Sequence, residues 1–492
     1  MLFTLIATLY VSRIVFQELG IVDYGIYNVV AGIATMFVFI NSAMSSATQR
    51  FLSYELGKSD TSQVKKTFNM TLTVHIIIAV LIVILVELVG LWLINNHLNI
   101  DQERLSAANW VFHCVVIGLV FTILGVPYNA SIIATEKMKI FAIIGTVDVF
   151  IKLALVYYLT YSTGDKLEVY AGIALINTMI IWFLHFIYCR VNISFTKYTL
   201  YWDVTLFKRL ISYTGWNLFG NLSGIAANQG VNILLNLFFG PVVNGSRAIV
   251  TQMNVAVKGF VSNLQMSINP QIIKSYAAGD LVYLESLVMK GGRYSFYLVL
   301  VIAMPFFIKA DDVILLWLGN VPKYSVDFIR LALLDTLVIS VSGGLMAALQ
   351  ATGNIKKYQI TVGGVLLLNL PIALLLLYLD LEPQVVYLVS ISLSLLALYA
   401  RLHFVEIQNG ISKFVFFKCV IYRCFIVLVL TSIFNSFAIT NFSELILLDV
   451  VITTIITSII TLFVVYLFGL ECDEKMFIKN KLIKFGIRKN DN

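Results

Sequence analysis

The chain has 492 residues, 59% of them hydrophobic and only 12% charged, with a mean hydropathy of +0.90. A soluble globule needs roughly 25% charged residues to cover its surface, so the composition excludes a soluble enzyme, a nucleic-acid binder and a disordered scaffold. The net charge of +7 matters less than where the charges lie.

An α-helix needs about 20 apolar residues, at about 1.5 Å each, to cross a hydrocarbon core of roughly 30 Å. Runs of that length recur along the whole chain, at 1–17, 24–48, 70–94, 107–131, 140–161, 168–189, 212–238, 246–268, 293–311, 327–350, 358–379, 384–405, 416–437 and 444–469. They are continuous and not alternating, which predicts helices and argues against a β-barrel. The expected fold is therefore all-α, a polytopic membrane protein of fourteen spans. Met1 lies inside the first run, so a polar leader upstream of it is expected; no cleavable signal peptide is evident.

Loop charges orient the bundle. If the even-numbered connections and the C-terminal tail are cytoplasmic, that side holds Lys58, Lys65, Lys66, Lys137, Lys139, Lys208, Arg209, Lys356, Lys357 and the tail lysines, whereas the opposite loops hold only Arg104, Lys166, Lys309 and Lys323. Such asymmetry predicts that both termini are cytoplasmic. No connection is long enough for an extramembrane domain.

An internal repeat runs through the chain. Gly20, Val22, Gly25, Val30, Ser42 and Asp60 recur as Gly240, Val242, Gly245, Val250, Ser262 and Asp280, and Ala134, Thr135 and Lys139 recur as Ala351, Thr352 and Lys356. Six spans per repeat is an even number, so both halves enter from the same side. Parallel repeats of this kind place substrate sites between the halves. The expected organisation is a six-helix lobe at 1–205, a second at 206–412, and two further helices with a basic tail at 413–492.

Charged residues inside spans are few and costly, about 2.5–3.5 kcal/mol each at the bilayer centre. Glu87, Arg247, Arg330 and Asp449 lie near predicted outer ends, where snorkelling accommodates them. Arg13, Asp148, Lys152, Lys258 and Asp335 are deeper. Asp148 and Lys152 share one face at i,i+4, as a structural ion pair or an ion-coupling site. Lys258 and Arg13 have no acid within a turn, as expected of cations facing a hydrated cavity, with Arg50 and Lys274 as a cationic floor; an Arg fork suits phosphate oxygens. His75, His113 and His185 read as core or interfacial, and the tyrosines and phenylalanines mostly as lipid-facing or interfacial. Pro270, Pro305 and Pro371 lie where they could kink helices. The five scattered cysteines read as packing residues. No metal-ligand spacing and no phosphate-binding G-x-x-x-x-G-K-[ST] run occur, so neither a cofactor nor ATP hydrolysis is expected.

Three stretches, LGIVDYGIYNVVAG from Leu19, ATQRFLSYELGKSD from Ala47 and VPYNASIIATEKMK from Val126, resemble the Wzx-type flippases of bacterial polysaccharide assembly. These belong to the multidrug/oligosaccharidyl-lipid/polysaccharide exporter superfamily, with a MATE-like fold. The resemblance implies a flippase that moves undecaprenyl-pyrophosphate-linked oligosaccharide between leaflets for O-antigen, capsule or exopolysaccharide assembly, using a proton or sodium gradient. It implies membrane lipids and a polysaccharide polymerase with its chain-length machinery as partners. By helix position it points to Arg13, Arg50, Arg247 and Lys258 as substrate-binding residues. Asp148, Lys152 and Asp335 are then the ion-coupling candidates, and Asn41, Gln49, Asn217 and Asn263 line a sugar path. Two other readings remain open. A MATE-like cation-coupled antiporter of drugs or metabolites shares the architecture, although it favours a more acidic cavity than three deep cations and two deep acids provide. A membrane-embedded polymerase or glycosyltransferase would ordinarily carry a large periplasmic loop or soluble domain.

Overall fold

The computed structural model describes residues 2–35, 38–96, 100–438, 445–476 and 479–480. Among these the ordered structure is helical, and each of the fourteen apolar runs falls on helix. The first two runs fall on α1 (Leu2–Thr35) and α2 (Val38–Gly57), followed by α3 (Thr61–Asn96), α4 (Gln102–Ala134), α5 (Met138–Tyr161) and α6 (Lys166–Asn192). Beyond a short loop stand α7 (Val204–Ala278), α8 (Leu281–Leu318), α9 (Ser325–Ser340), α10 (Gly343–Thr352), α11 (Lys356–Leu367), α12 (Asn369–Tyr378) and α13 (Val385–Asn409). The chain then runs through α14 (Lys413–Phe416), a π-helical turn, α15 (Tyr422–Ala438) and α16 (Ile446–Val464). Nine of the described helices are long and apolar enough to cross a bilayer, and the pair α9–α10, bent by 40°, makes a tenth span.

The breaks have local causes. Gly20 (φ 69°, ψ 176°) interrupts α1, and Gly240 (φ 75°, ψ −172°) interrupts α7. Both sit in a backbone region essentially closed to residues with a Cβ, and they are repeat partners in the sequence. The equivalence extends to two more turns: Ser59 and Gly279 both have positive φ, as do Glu136 and Gly353. Pro371 lacks an N–H and divides the eleventh run into α11 and α12. Between α9 and α10 the bend precedes Gly343 and Gly344, and a Cβ on Gly344 would stand 3.0 Å from the Val288 carbonyl oxygen. The small residue lets α10 approach α8 closely.

The chain divides into two compact units. The first comprises Met1–Leu222, Ile273–Asp280 and Gly353–Gln359, and the second comprises Ser223–Ile272, Leu281–Thr352 and Ile360–Asn492. Within the first unit α4 is the hub, packing against α6, α3, α2 and α1. Its core joins Val15, Leu19, Ile82, Val86, Val111, Phe112 and Val116, and Gly90 lies so close to Phe112 that a Cβ there would stand 2.2 Å from the ring. A second cluster around Phe68, Tyr128, Ile132 and Cys189 fills the other end. Within the second unit α8 packs against α16, α9 and α10, and α13 against α9, α10 and α12. The C-terminal helices are fastened to α8 twice. Buried Arg293 donates to Glu471 at 2.9 Å and Glu474 at 2.7 Å, while Lys309 pairs with Asp449 at 2.7 Å.

Candidate functional site

In the first unit α1, α5 and α6 pack against one another around open space. Two adjoining cavities of about 420 Å³ and 520 Å³ share Asp148, Lys152, Asn177 and Thr178 in their walls. The i,i+4 spacing on α5 brings the Asp148 carboxylate to the Lys152 ammonium, with Nζ donating to Oδ2 at 2.6 Å. From α6, Asn177 Nδ2 donates to the other carboxylate oxygen, Oδ1, at 2.9 Å. Pairing offsets part of the cost of placing both charges in a span.

The two cavities differ in chemistry. The first adds Val11, Val15, Tyr24, Tyr27 and Asn28 from α1 and Tyr170 from α6, an apolar and phenolic wall. Tyr27 and Tyr170 meet there with ring centroids 4.7 Å apart. The second adds Asn41 and Ser42 from α2, Thr122 and Asn129 from α4, and Trp182 and His185 from α6. Among the described residues, the buried Asn41 Oδ1, Asn177 Oδ1 and Trp182 Nε1 atoms have no hydrogen-bond partner. His185 Nδ1 donates to the Ile181 carbonyl at 2.8 Å, which leaves Nε2 as its remaining polar atom.

The residues 159–170 end of the unit is bound by an ionic network. Arg104 at the start of α4 reaches both Asp23 and Asp165, and Lys166 donates to Glu18 at 2.7 Å and to the Leu159 carbonyl at 2.9 Å. Asp165 also caps α6, accepting from Leu167 N–H at 2.9 Å and Glu168 N–H at 3.3 Å. Burial by itself pushes the Asp165 carboxyl up. The Glu168 N–H and the Arg104 guanidinium outweigh it and hold the group below the usual carboxylate range.

The other candidates fall elsewhere. Arg13 is exposed on α1, outside the walls of both cavities and without an ion pair among the described residues. Arg50 is buried in an aromatic setting, 4.6 Å from the Tyr54 ring centroid and 5.8 Å from that of Tyr213, and close against Gly353. Beside it Lys274 pairs with Glu136 at 2.6 Å. In the second unit Arg247 is buried, donates to the Asn228 carbonyl at 3.3 Å and lies 5.5 Å from the Tyr387 ring centroid, with its Nε unpartnered. Asp335 accepts from Ser394 Oγ at 2.5 Å. Lys258 is exposed, and no carboxylate lies within ion-pair distance of it among the described residues. Of the four expected sugar-path residues, Asn41 lines a cavity. Asn217 accepts from Gln359 Nε2 at 3.1 Å, and neither Gln49, Asn217 nor Asn263 is part of the cavity walls.

Thus the structure brings Asp148 and Lys152 together and gathers neither Arg13 nor Arg50 with them. It adds Tyr24, Tyr27, Tyr170, Asn177, Trp182 and His185, which sequence reasoning assigned to core, belt or nothing. The signal was present in α6, where Tyr170, Ile173, Ala174, Asn177, Thr178, Ile181, Trp182 and His185 recur at helical spacing.

The family model MatE matches residues 1–158, which contain α1 to α4 and the Asp148–Lys152 pair. No curated protein matches the sequence significantly. Solved structures similar to the chain include a multidrug-resistance MATE transporter of the MOP superfamily in an outward-facing conformation, at 13% identity and a TM-score of 0.69, covering 84% of this chain and 94% of that one. A second is a MOP superfamily transporter from Pyrococcus furiosus described as having a binding pocket of reversed polarity that suggests a different function, at 12% identity and a TM-score of 0.67, covering 83% and 94%. A third is the Vibrio cholerae MATE transporter VcmN in its bent form, at 14% identity and a TM-score of 0.63, covering 83% and 100%. The chain is an integral membrane protein with the fold of the MATE transporters.

Proposed function

We propose that the chain is a cation-coupled secondary transporter of the MATE type, carrying amphipathic drugs or metabolites by alternating access, and that its N-terminal cavity is where substrate and coupling ion meet. One observation carries the reading: a carboxylate–ammonium pair inside a span lines a cavity and is not sealed in a core. Ionisable groups at membrane depth are expensive and mark ion or substrate pathways. The phenolic wall of Tyr24, Tyr27 and Tyr170 offers π-faces and hydroxyls to a ligand that is part apolar and part polar. In this reading Asp148, Lys152 and Asp335 handle the proton or sodium ion of the coupling gradient. The fold likeness and the MatE match favour it. The test is gradient-driven transport in proteoliposomes across a panel of aromatic dyes and metabolites of either charge: the wild-type chain moves at least one of them with the gradient, and Asp148→Asn at equal protein level does not. An inert wild type across a panel of dyes and metabolites would count against it.

A second reading is the flippase for undecaprenyl-pyrophosphate-linked oligosaccharide. The second cavity supports it, because Asn41, Asn129, Asn177, Thr178 and Trp182 form a neutral hydrogen-bonding wall with an indole face, chemistry suited to sugar hydroxyls. Arg13 and Lys258, exposed and outside any ion pair among the described residues, and Arg247 with its unpartnered Nε, are the groups proposed to take the pyrophosphate together with Arg50. Here Arg13→Ala and Lys258→Ala abolish surface polysaccharide at unchanged protein level, and a null strain accumulates lipid-linked oligosaccharide on the inner leaflet. Full complementation by both variants removes their proposed roles.

A further inference from the structure

We infer that Asp148 and Lys152 are an exchange pair: a proton on Asp148 releases Lys152 to hold an anionic group of the substrate, so that proton and anion load the cavity together. This rests on the reading of the N-terminal cavity as the transport site, and it adds the charge of the ligand and the sign of the coupling.

The two members of the pair are unequally satisfied. Both Asp148 oxygens are engaged, Oδ2 by Lys152 Nζ at 2.6 Å and Oδ1 by Asn177 Nδ2 at 2.9 Å. Both neighbours are nitrogen donors, which cannot ligate a metal cation. A sodium ion would have to displace both donors and find other oxygens; a proton needs one lone pair on one oxygen. Lys152 has three N–H donors and a single carboxylate acceptor, and its side chain keeps 47% of its surface accessible against 24% for Asp148. It is the more available charge.

Among the described residues, Asp148 is also the only carboxylate lining either cavity. Once it is protonated, the ammonium faces the cavity without a counter-ion, at a cost that an anionic ligand group relieves. By reciprocity a bound anion strengthens proton binding by the same factor as the proton strengthens anion binding. Four other ionisable groups face this space, Tyr24 and Tyr27 from α1 and Tyr170 and His185 from α6; the lining residues of α2 and α4 contribute none. A phenol is not expected to ionise near neutrality, which leaves His185 as the rival source of any pH effect there.

The experiment uses the full chain in nanodiscs and two size-matched aromatic probes of fixed charge, naphthalene-1-sulfonate and N-methylquinolinium. Wild type binds the sulfonate about tenfold more tightly at about pH 5.5 than at about pH 8. Asp148→Asn, isosteric and still within reach of Asn177, binds it tightly at both values, Lys152→Met binds it weakly at both, and His185→Asn keeps the wild-type pH dependence. A pH dependence that survives Asp148→Asn and disappears in His185→Asn overturns the inference. So does wild-type binding of the quinolinium without the sulfonate, an outcome that leaves the cavity standing as a transport site for cations. If neither Asp148→Asn nor Lys152→Met alters the binding of either probe, the cavity is not the binding site and the transport reading falls with the inference.

Discussion

Gly20 and Gly240 stand 220 positions apart in sequence and hold nearly the same φ/ψ, a conformation with φ near +70° and an extended ψ. Among the described residues neither has a neighbour within 4 Å of where a Cβ would be, so backbone conformation and not crowding calls for glycine. Gly240→Ala is expected to destabilise the protein by about 1–3 kcal/mol, read as a lower melting temperature in detergent. Gly245→Ala, also in open space but at an ordinary φ, serves as the control and shifts it little. Asp165 makes a second argument at this scale. Its carboxyl is held below its ordinary value in the folded state, so its contribution is fully present above the unfolded pKa of about 3.9 and is lost as pH falls below it through the folded value. Because the group is partly exposed, the effect is modest. Melts taken from about pH 6 to about pH 3 should fall less steeply for Asp165→Asn than for wild type, from a lower starting point.

At the scale of helices, the pattern in α6 explains what was legible and what was not. Asp148 and Lys152 were found because charge in an apolar run is conspicuous and i,i+4 spacing puts two residues on one face. Tyr170, Asn177 and His185 were passed over because a tyrosine, an amide or a histidine on a membrane helix fits a belt, a core or a cavity equally well. Only the helix's rotation against α1 and α5 decides among these. The C-terminal hairpin shows the same division. Asp449 read as a residue snorkelling near a span end, and it instead pairs with Lys309 on α8. Buried Arg293, at 1% exposure, closes the other end through Glu471 and Glu474, while Arg423 meets Glu471 from a third exposed side chain at 3.2 Å. Removing one partner of a buried pair strands the other, at a cost of about 3–5 kcal/mol, whereas an exposed pair contributes about 0–1 kcal/mol. Arg293→Ala should therefore lower thermal stability severely and Arg423→Ala barely, as judged by size-exclusion chromatography after a heating series.

Over the whole molecule, charge asymmetry predicts cytoplasmic termini, and one native residue can check this. Cys472 is exposed beside the Arg293 cluster, whereas Cys114, Cys189 and Cys424 are buried. An impermeant maleimide is expected to label Cys472 in inverted vesicles and not in intact cells, and the reverse result would invert the assigned topology. The paired turns at Gly20 and Gly240, Ser59 and Gly279, and Glu136 and Gly353 carry the repeat from sequence into backbone geometry. Composition and periodicity alone determined the solvent of this protein, its helical class and its repeat, because lipid leaves the backbone no alternative to satisfying its own hydrogen bonds within each span. Tertiary structure alone decided which polar residues share a cavity. That depends on how each helix is turned about its axis, set by packing at positions such as Gly90 and Gly344, and a run of apolar residues has too little amphipathic contrast to fix the turning in advance.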